Sequence, residues 1–172
     1  MKKAFSVLAV FFLLFAAGCE KQKTEQATPP CAPTSFTSKI KAVWNGIEMT
    51  AELTQNAAED FTLQFLTPQA LSPLSLTYQN GLCSVKYNDL MFETELDRFP
   101  QAEMGALIIH SISDAVQGID IQTTCSDGIW TYTGTGERGA FSLTRNAETG
   151  EWIELNVEGA KLKVNFSDFK VK

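Results

Sequence analysis

The sequence predicts a mainly β domain: an antiparallel sheet of about ten short strands with one amphipathic helix laid on its apolar face. Three observations predict it. From Phe36 onward, apolar and polar residues alternate with a period of two through most of the chain. Asn-Gly and Asp-Gly pairs punctuate that alternation at Asn45-Gly46, Asn80-Gly81 and Asp127-Gly128. A single stretch, 102–118, places its apolar residues at helical spacing instead.

The first strands start from Phe36 and continue with Ile47, Met49, Ala51 and Leu53, which alternate with Glu48, Thr50, Glu52 and Thr54. Phe61, Leu63 and Phe65 repeat the pattern, followed by Leu74, Leu76 and Tyr78, then Val85 and Tyr87. After the helical stretch come Ile121–Ser126, Ile129–Thr135, Ala140–Arg145, Trp152–Val157 and Leu162–Phe166. Asn-Gly and Asp-Gly tolerate the positive φ of tight hairpins, and Thr149-Gly150 and Glu158-Gly159 mark further turns. Short strands joined by tight turns make an antiparallel meander with one apolar face. In the helix, Met104, Leu107, Ile108, Ile112, Ala115 and Val116 span an arc of roughly 180°, and Glu103, His110, Asp114 and Gln117 share the opposite side. Pro100 precedes it and Gly118 stands where a C-terminal cap belongs.

The N-terminus reads as an address rather than as structure. Lys2 and Lys3 precede an uninterrupted low-polarity run of 14 residues, Ala4 to Ala17. A bilayer-spanning helix needs about 20 such residues, so the run has the length of a signal-peptide core. Ala16-Ala17-Gly18-Cys19 then resembles the bacterial lipobox. That resemblance implies cleavage before Cys19, lipid on its thiol and attachment to the bacterial cell membrane on the extracytoplasmic side; the other reading is an ordinary secretory signal cut after Ala17 or Gly18. Residues 19–35 hold Pro29, Pro30 and Pro33 and no large apolar side chain, which is the composition of a flexible stalk. The expected organisation is a signal at 1–18, a lipidated cysteine and stalk at 19–35, and one domain at 36–172.

Composition narrows function mainly by exclusion. Once the signal is removed, 12 basic residues face 20 acidic ones, a formal charge of −8. An acidic chain without a basic run is not built for nucleic acid, whose phosphates demand clustered Lys and Arg. The one histidine, His110, has Asp114 at i+4, an ordinary pair on an exposed helix face, and no Gly-x-Ser-x-Gly elbow accompanies it. One histidine and no Cys-x-x-Cys pair leave no usual zinc set. Glu93, Glu95 and Asp97 share one strand face but lack a glycine-centred calcium loop. Thr133–Gly139 is glycine-rich yet joins two strands, whereas a phosphate cradle needs a helix N-terminus behind it. No catalytic residue, metal or cofactor is expected. Besides Cys19, three cysteines remain, so at most one internal bridge forms; of the three pairings, Cys83 with Cys125 joins the two that sit within strands.

The lipobox, the polar stalk and a sheet interrupted by a helix, with stretches such as Phe61–Pro68, Leu74–Tyr78, Val85–Leu90, Thr149–Ile153 and Val164–Phe166, resemble the LolA/LolB-like lipoprotein-carrier superfamily and its relatives in single-membrane bacteria. The resemblance covers 36–172. It implies a curved half-barrel with a hydrophobic cavity between the concave sheet and its helix, in which lipid can lie. Arg98, Arg138 and Arg145 all fall near expected turns, so none matches the carriers' pocket arginine. Met49, Leu53, Phe61, Phe65, Leu76, Tyr78, Val85 and Tyr87 are the candidates to line such a cavity, closed by Leu107, Ile108 and Ile112. The same residues would equally close a packed core. The leading expectation is therefore non-enzymatic binding of a lipid or other hydrophobic ligand. The alternative is an envelope protein-interaction or sensor module, which Trp44, Trp130 or Trp152 clustered on the solvent side would favour.

Overall fold

A computed structural model describes residues 29, 31–58, 60–95, 100–118, 120–136 and 139–172. Cys19, the signal segment and most of the expected stalk lie outside the described residues. The strands are β1 (Phe36–Trp44), β2 (Ile47–Ala57), β3 (Asp60–Thr67), β4 (Leu74–Gln79), β5 (Leu82–Tyr87) and β6 (Leu90–Glu95). Helix α1 (Pro100–Gln117) follows, then β7 (Gln122–Ser126), β8 (Ile129–Gly136), β9 (Gly139–Asn146), β10 (Trp152–Val157) and β11 (Leu162–Val171). Among the described residues eleven strands, rather than about ten, form one sheet; β6 overlaps the expected strand at Glu93–Glu95 but starts earlier, at Leu90-Met91-Phe92, where there is no alternation.

The spatial order is β6-β5-β4-β3-β2-β1-β11-β10-β9-β8-β7. The chain thus begins at the middle, walks outward to one edge, crosses by α1 to the other edge and walks back until β11 pairs antiparallel with β1. Laid flat, the seven inter-strand gaps between β4 and β8 measure about 34 Å, whereas a helix with its side chains is only about 10–12 Å across. The sheet therefore curls around the helix, and α1 packs against β4 on one side and β8, β9 and β10 on the other. At Asn45-Gly46, Asn80-Gly81 and Asp127-Gly128 both residues have positive φ, the turn geometry that matches the strands' twist.

Alternation decides the inner face. Ile40 and Ala42, then Met49, Ala51 and Leu53, then Phe61, Leu63 and Phe65, with Leu74, Leu76, Phe141, Leu143, Leu162 and Val164, are all buried. Against them α1 lays Met104, Ile108, Ile112 and Ala115. Two irregularities re-aim side chains that strict alternation would misplace. The register of β10 on β9 shifts between Trp152 and Glu154, which turns Trp152 inward opposite Arg145. In β11, Asp168 has φ +51°, and beyond it Phe169 faces inward and stacks on Phe36 at 4.7 Å.

Residues 31–35, the end of the expected stalk, lie on the domain. Ala32 packs against the core and the Cys31 carbonyl accepts a hydrogen bond from Arg145 at 3.4 Å. The Cys83–Cys125 pairing does not form: both thiols are free, and β5 and β7 stand in opposite halves of the sheet. A bridge needs Cα atoms within about 7 Å.

Candidate functional site: a cleft beside the helix

Tyr78 anchors the site. It points inward from β4, and its hydroxyl donates to the Ala102 carbonyl in the first turn of α1 at 2.9 Å. Gly105, one turn further on, supplies no side chain, so the phenol ring lies directly over the helix backbone. Directly across from Tyr78 on β5 is Cys83. Burial pushes the Tyr78 phenol above its ordinary range, with the neighbouring Cys83 adding to the shift. Burial likewise pushes the Cys83 thiol from 9.0 up to about 11, while its hydrogen bond with Tyr78 pulls the other way.

The raised thiol makes stability depend on pH. The native state holds Cys83 neutral where the unfolded chain would ionise it, so its contribution is complete below pH 9 and is lost as pH rises toward about 11. Thermal unfolding followed by circular dichroism is expected to show a steeper fall in Tm across that window for the native sequence than for Cys83→Ala. Parallel slopes would mean that Cys83 is not buried as described.

Beside Tyr78 opens a cleft of about 360 Å³ between α1 and the β4–β5 turn. Its apolar wall is Tyr78, Leu82, Ala106 and Ile109; its polar rim is Gln79, His110, Ser113, Asp114 and Gln117. Across the helix, a nook of about 40 Å³ is bordered by Pro33, Thr34, Gln55, Ile112 and Val116, and it shares Ser113 and Gln117 with the cleft. Gln55 is buried; its Nε2 donates to the Ala57 carbonyl at 3.2 Å, and its Oε1 has no donor among the described residues. A third hollow, of about 400 Å³, lies among the polar side chains Thr133, Thr135, Ser142 and Asn156, with Asp120 and Glu158 beside them.

Most of the lining residues expected from sequence belong to the core. Met49, Leu53, Phe61, Phe65, Leu76, Val85, Ile108 and Ile112 are buried in it, and Leu107 is half-buried against it. Of the whole set, only Tyr78 borders the larger cleft and only Ile112 the smaller nook. Tyr87 is a correction: it shares the inward face of β5 with Cys83 and Val85, but at the last position of the strand it is 40% exposed. The reason the others pack rather than line a groove is the helix itself, whose apolar stripe fills the concavity between β4 and β8–β10.

His110 is exposed and joins the cleft rim together with Asp114, four residues on. No group of three His, Cys, Asp or Glu side chains among the described residues is arranged to hold a metal ion. Trp130 and Trp152 are buried and Trp44 packs half-buried against the core, so the tryptophans form no outer cluster.

Arg145 is the residue that sequence reading missed. Placed near a turn by its position, it is 1% exposed, on the inner face of β9. Its guanidinium lies 5.5 Å from the centre of the Trp152 ring, and Tyr132 meets that ring edge-on at 5.8 Å. The signal was present in the alternation, because Arg145 has the same parity as Phe141 and Leu143.

No protein-family model matches the chain, and no curated protein matches it by sequence. Solved structures do. A chain from the complex of the CwlD amidase with the GerS lipoprotein of Clostridioides difficile is similar with a TM-score of 0.54 at 18% identity, over 97% of this chain and 95% of that one. A conserved protein from Thermus thermophilus is similar with a TM-score of 0.53 at 12% identity, over 81% of this chain and 80% of that one. These two likenesses show a shared fold. The structural neighbours also include a LolA superfamily protein from Nitrosomonas europaea, with a TM-score of 0.40 at 9% identity, over 83% and 87% of the two chains.

Proposed function

We propose that this chain is a lipid-anchored extracytoplasmic protein of bacteria, held to the cell membrane through Cys19, that binds a lipid or other hydrophobic ligand without chemical turnover. The observation that carries this reading is the cleft beside α1. Its volume, about 360 Å³, falls within the usual range of small-molecule sites. Its two-sided wall suits an amphipathic ligand: an acyl chain against Tyr78, Leu82, Ala106 and Ile109, and a polar head among His110, Ser113, Asp114 and Gln117. The site sits at the margin of the concave face rather than along its middle.

A second reading, an envelope module that binds a protein, is favoured by the closed packing of the inner face. The likeness to a chain from an amidase–lipoprotein complex supports the same reading and suggests an amidase as one class of partner.

Native mass spectrometry of the full chain purified from bacterial membranes, followed by organic extraction, separates the two. Ligand binding predicts a co-purifying lipid and retention of a fluorescent fatty acid. Ser113→Trp, which fills the cleft from a half-buried position, is expected to weaken fatty-acid retention by about tenfold or more with little change in Tm. Retention unchanged in that variant overturns the cleft as the site, and a clean apo mass with no retention leaves the protein-binding reading.

A further inference from the structure

The two edges of the sheet are built differently. One edge, β7, is short and polar, with the sequence Gln-Thr-Thr-Cys-Ser. The other, β6, begins Leu-Met-Phe, and these three side chains are 70%, 74% and 49% exposed. Its apolar residues occupy both faces. Leu90 and Phe92 stand beside Tyr87 and Val85, and Met91 stands beside Lys86 on the other side. Among the described residues β6 is paired by β5 alone, so its second side presents main-chain donors and acceptors. Natural edges are commonly guarded by proline, lysine or a bulge, and β6 has none of these. Its charges are all acidic: Glu93 and Glu95 follow the apolar triplet and Asp89 precedes it.

We propose that β6 is a docking edge that accepts an extended segment of a partner protein, apolar residues alternating with Lys or Arg, as a twelfth strand. The main-chain groups supply the attachment, the exposed Leu90 and Met91 supply the apolar contact, and the flanking acids select the charge. A second copy of this chain fits poorly. Antiparallel pairing of two copies of this edge centred on Phe92 sets Asp89 of each against Glu95 of the other, in molecules of formal charge −6, and like charges across a strand pair repel. This inference depends on neither occupant of the cleft: although Leu82 of the cleft wall pairs with Glu95, the proposal uses only the side of β6 that faces away from β5 and needs no cavity.

The test uses the full chain in mild detergent and two fluorescein-labelled ten-residue peptides, one alternating Lys and Val, the other Glu and Val. Fluorescence anisotropy is expected to show binding of the Lys/Val peptide, about tenfold or more tighter than the Glu/Val peptide. Met91→Lys is expected to weaken it by about tenfold or more, and Leu90→Lys likewise. Thr124→Lys, the same charge change placed on β7, is expected to leave it unchanged. Three results overturn the proposal: no binding of the Lys/Val peptide, equal loss in Thr124→Lys, or binding untouched by both β6 variants. A dimer in sedimentation that Met91→Lys dissolves also overturns it, in favour of a second copy on this edge.

Discussion

Trp152→Ala is expected to lower the stability of this protein by about 3–5 kcal/mol, the ordinary cost of deleting a large buried aromatic side chain. Trp152 is 2% exposed and supports two neighbours at once. Arg145 lies over its ring at 5.5 Å, and Tyr132 meets it edge-on at 5.8 Å. Alanine would leave a cavity and strip the apolar contact from a guanidinium that is itself buried, which is why the upper part of the range applies. At the length of this chain each kcal/mol corresponds to about 2–4 °C in Tm, so a fall of about 6–20 °C is expected. Trp152→Phe should behave differently. The indole Nε1 has no acceptor among the described residues, so phenylalanine keeps much of the ring contact while removing an unsatisfied buried donor. Its cost is expected below about 2 kcal/mol. Thermal unfolding of the two variants by circular dichroism decides the matter: a loss under about 1 kcal/mol for Trp152→Ala would mean that the Arg145–Trp152–Tyr132 cluster is not close-packed.

Gly105→Ala is expected to cost about 1–3 kcal/mol, against the direction that helix propensity alone predicts. In the interior of an exposed helix the same exchange stabilises by about 1 kcal/mol. Here an added Cβ would collide with the Tyr78 hydroxyl oxygen and reach Cζ at 2.6 Å and Cε2 at 3.0 Å. The ring has nowhere to retreat: it is buried, and its hydroxyl is fixed to the Ala102 carbonyl at 2.9 Å. The overlap therefore pushes α1 off β4 at the wall of the cleft. A double-mutant cycle isolates the cause. Tyr78→Phe removes the colliding oxygen and one buried hydrogen bond, costing about 1 kcal/mol alone. In that background Gly105→Ala is expected to cost less than in the native sequence, by about 1 kcal/mol or more of coupling. Strict additivity would show that the helix and Tyr78 do not press on each other. Because Tyr78 and Ala106 both line the cleft, fatty-acid retention should fall in Gly105→Ala along with Tm.

Much of the fold was legible because β structure encodes its faces locally. The period of two in Ile47–Leu53 or Phe61–Phe65 names the buried side without reference to any other strand. The Asn-Gly and Asp-Gly turns state where each hairpin closes, and all three adopt the positive φ that the pairs suggest. The helix was legible for the same reason: its stripe is a property of one segment. The start of β6 was not: Glu93 and Glu95 read as one strand face, but Leu90, Met91 and Phe92 lie side by side and display no alternation. The inward turns of Trp152 and Phe169 were hidden as well, because a register shift and a positive φ at Asp168 change the parity by which strands are read. For the site, the apolar lining was correctly assigned to the inner face, yet sequence could not weigh that face against what covers it.

The chain by itself determined which side chains turn inward, where the hairpins close and where the helix over Pro100–Gln117 lies, because spacing and turn chemistry act over a few residues. Only the tertiary structure decided that β1 meets β11, that the sheet curls until one helix packs against both of its halves, and that the predicted cavity residues pack as core while the opening falls beside Tyr78. Those outcomes depend on the distance between sheet edges and on the volume left between a curved sheet and a helix, quantities that arise only when segments far apart in sequence come to share the same space.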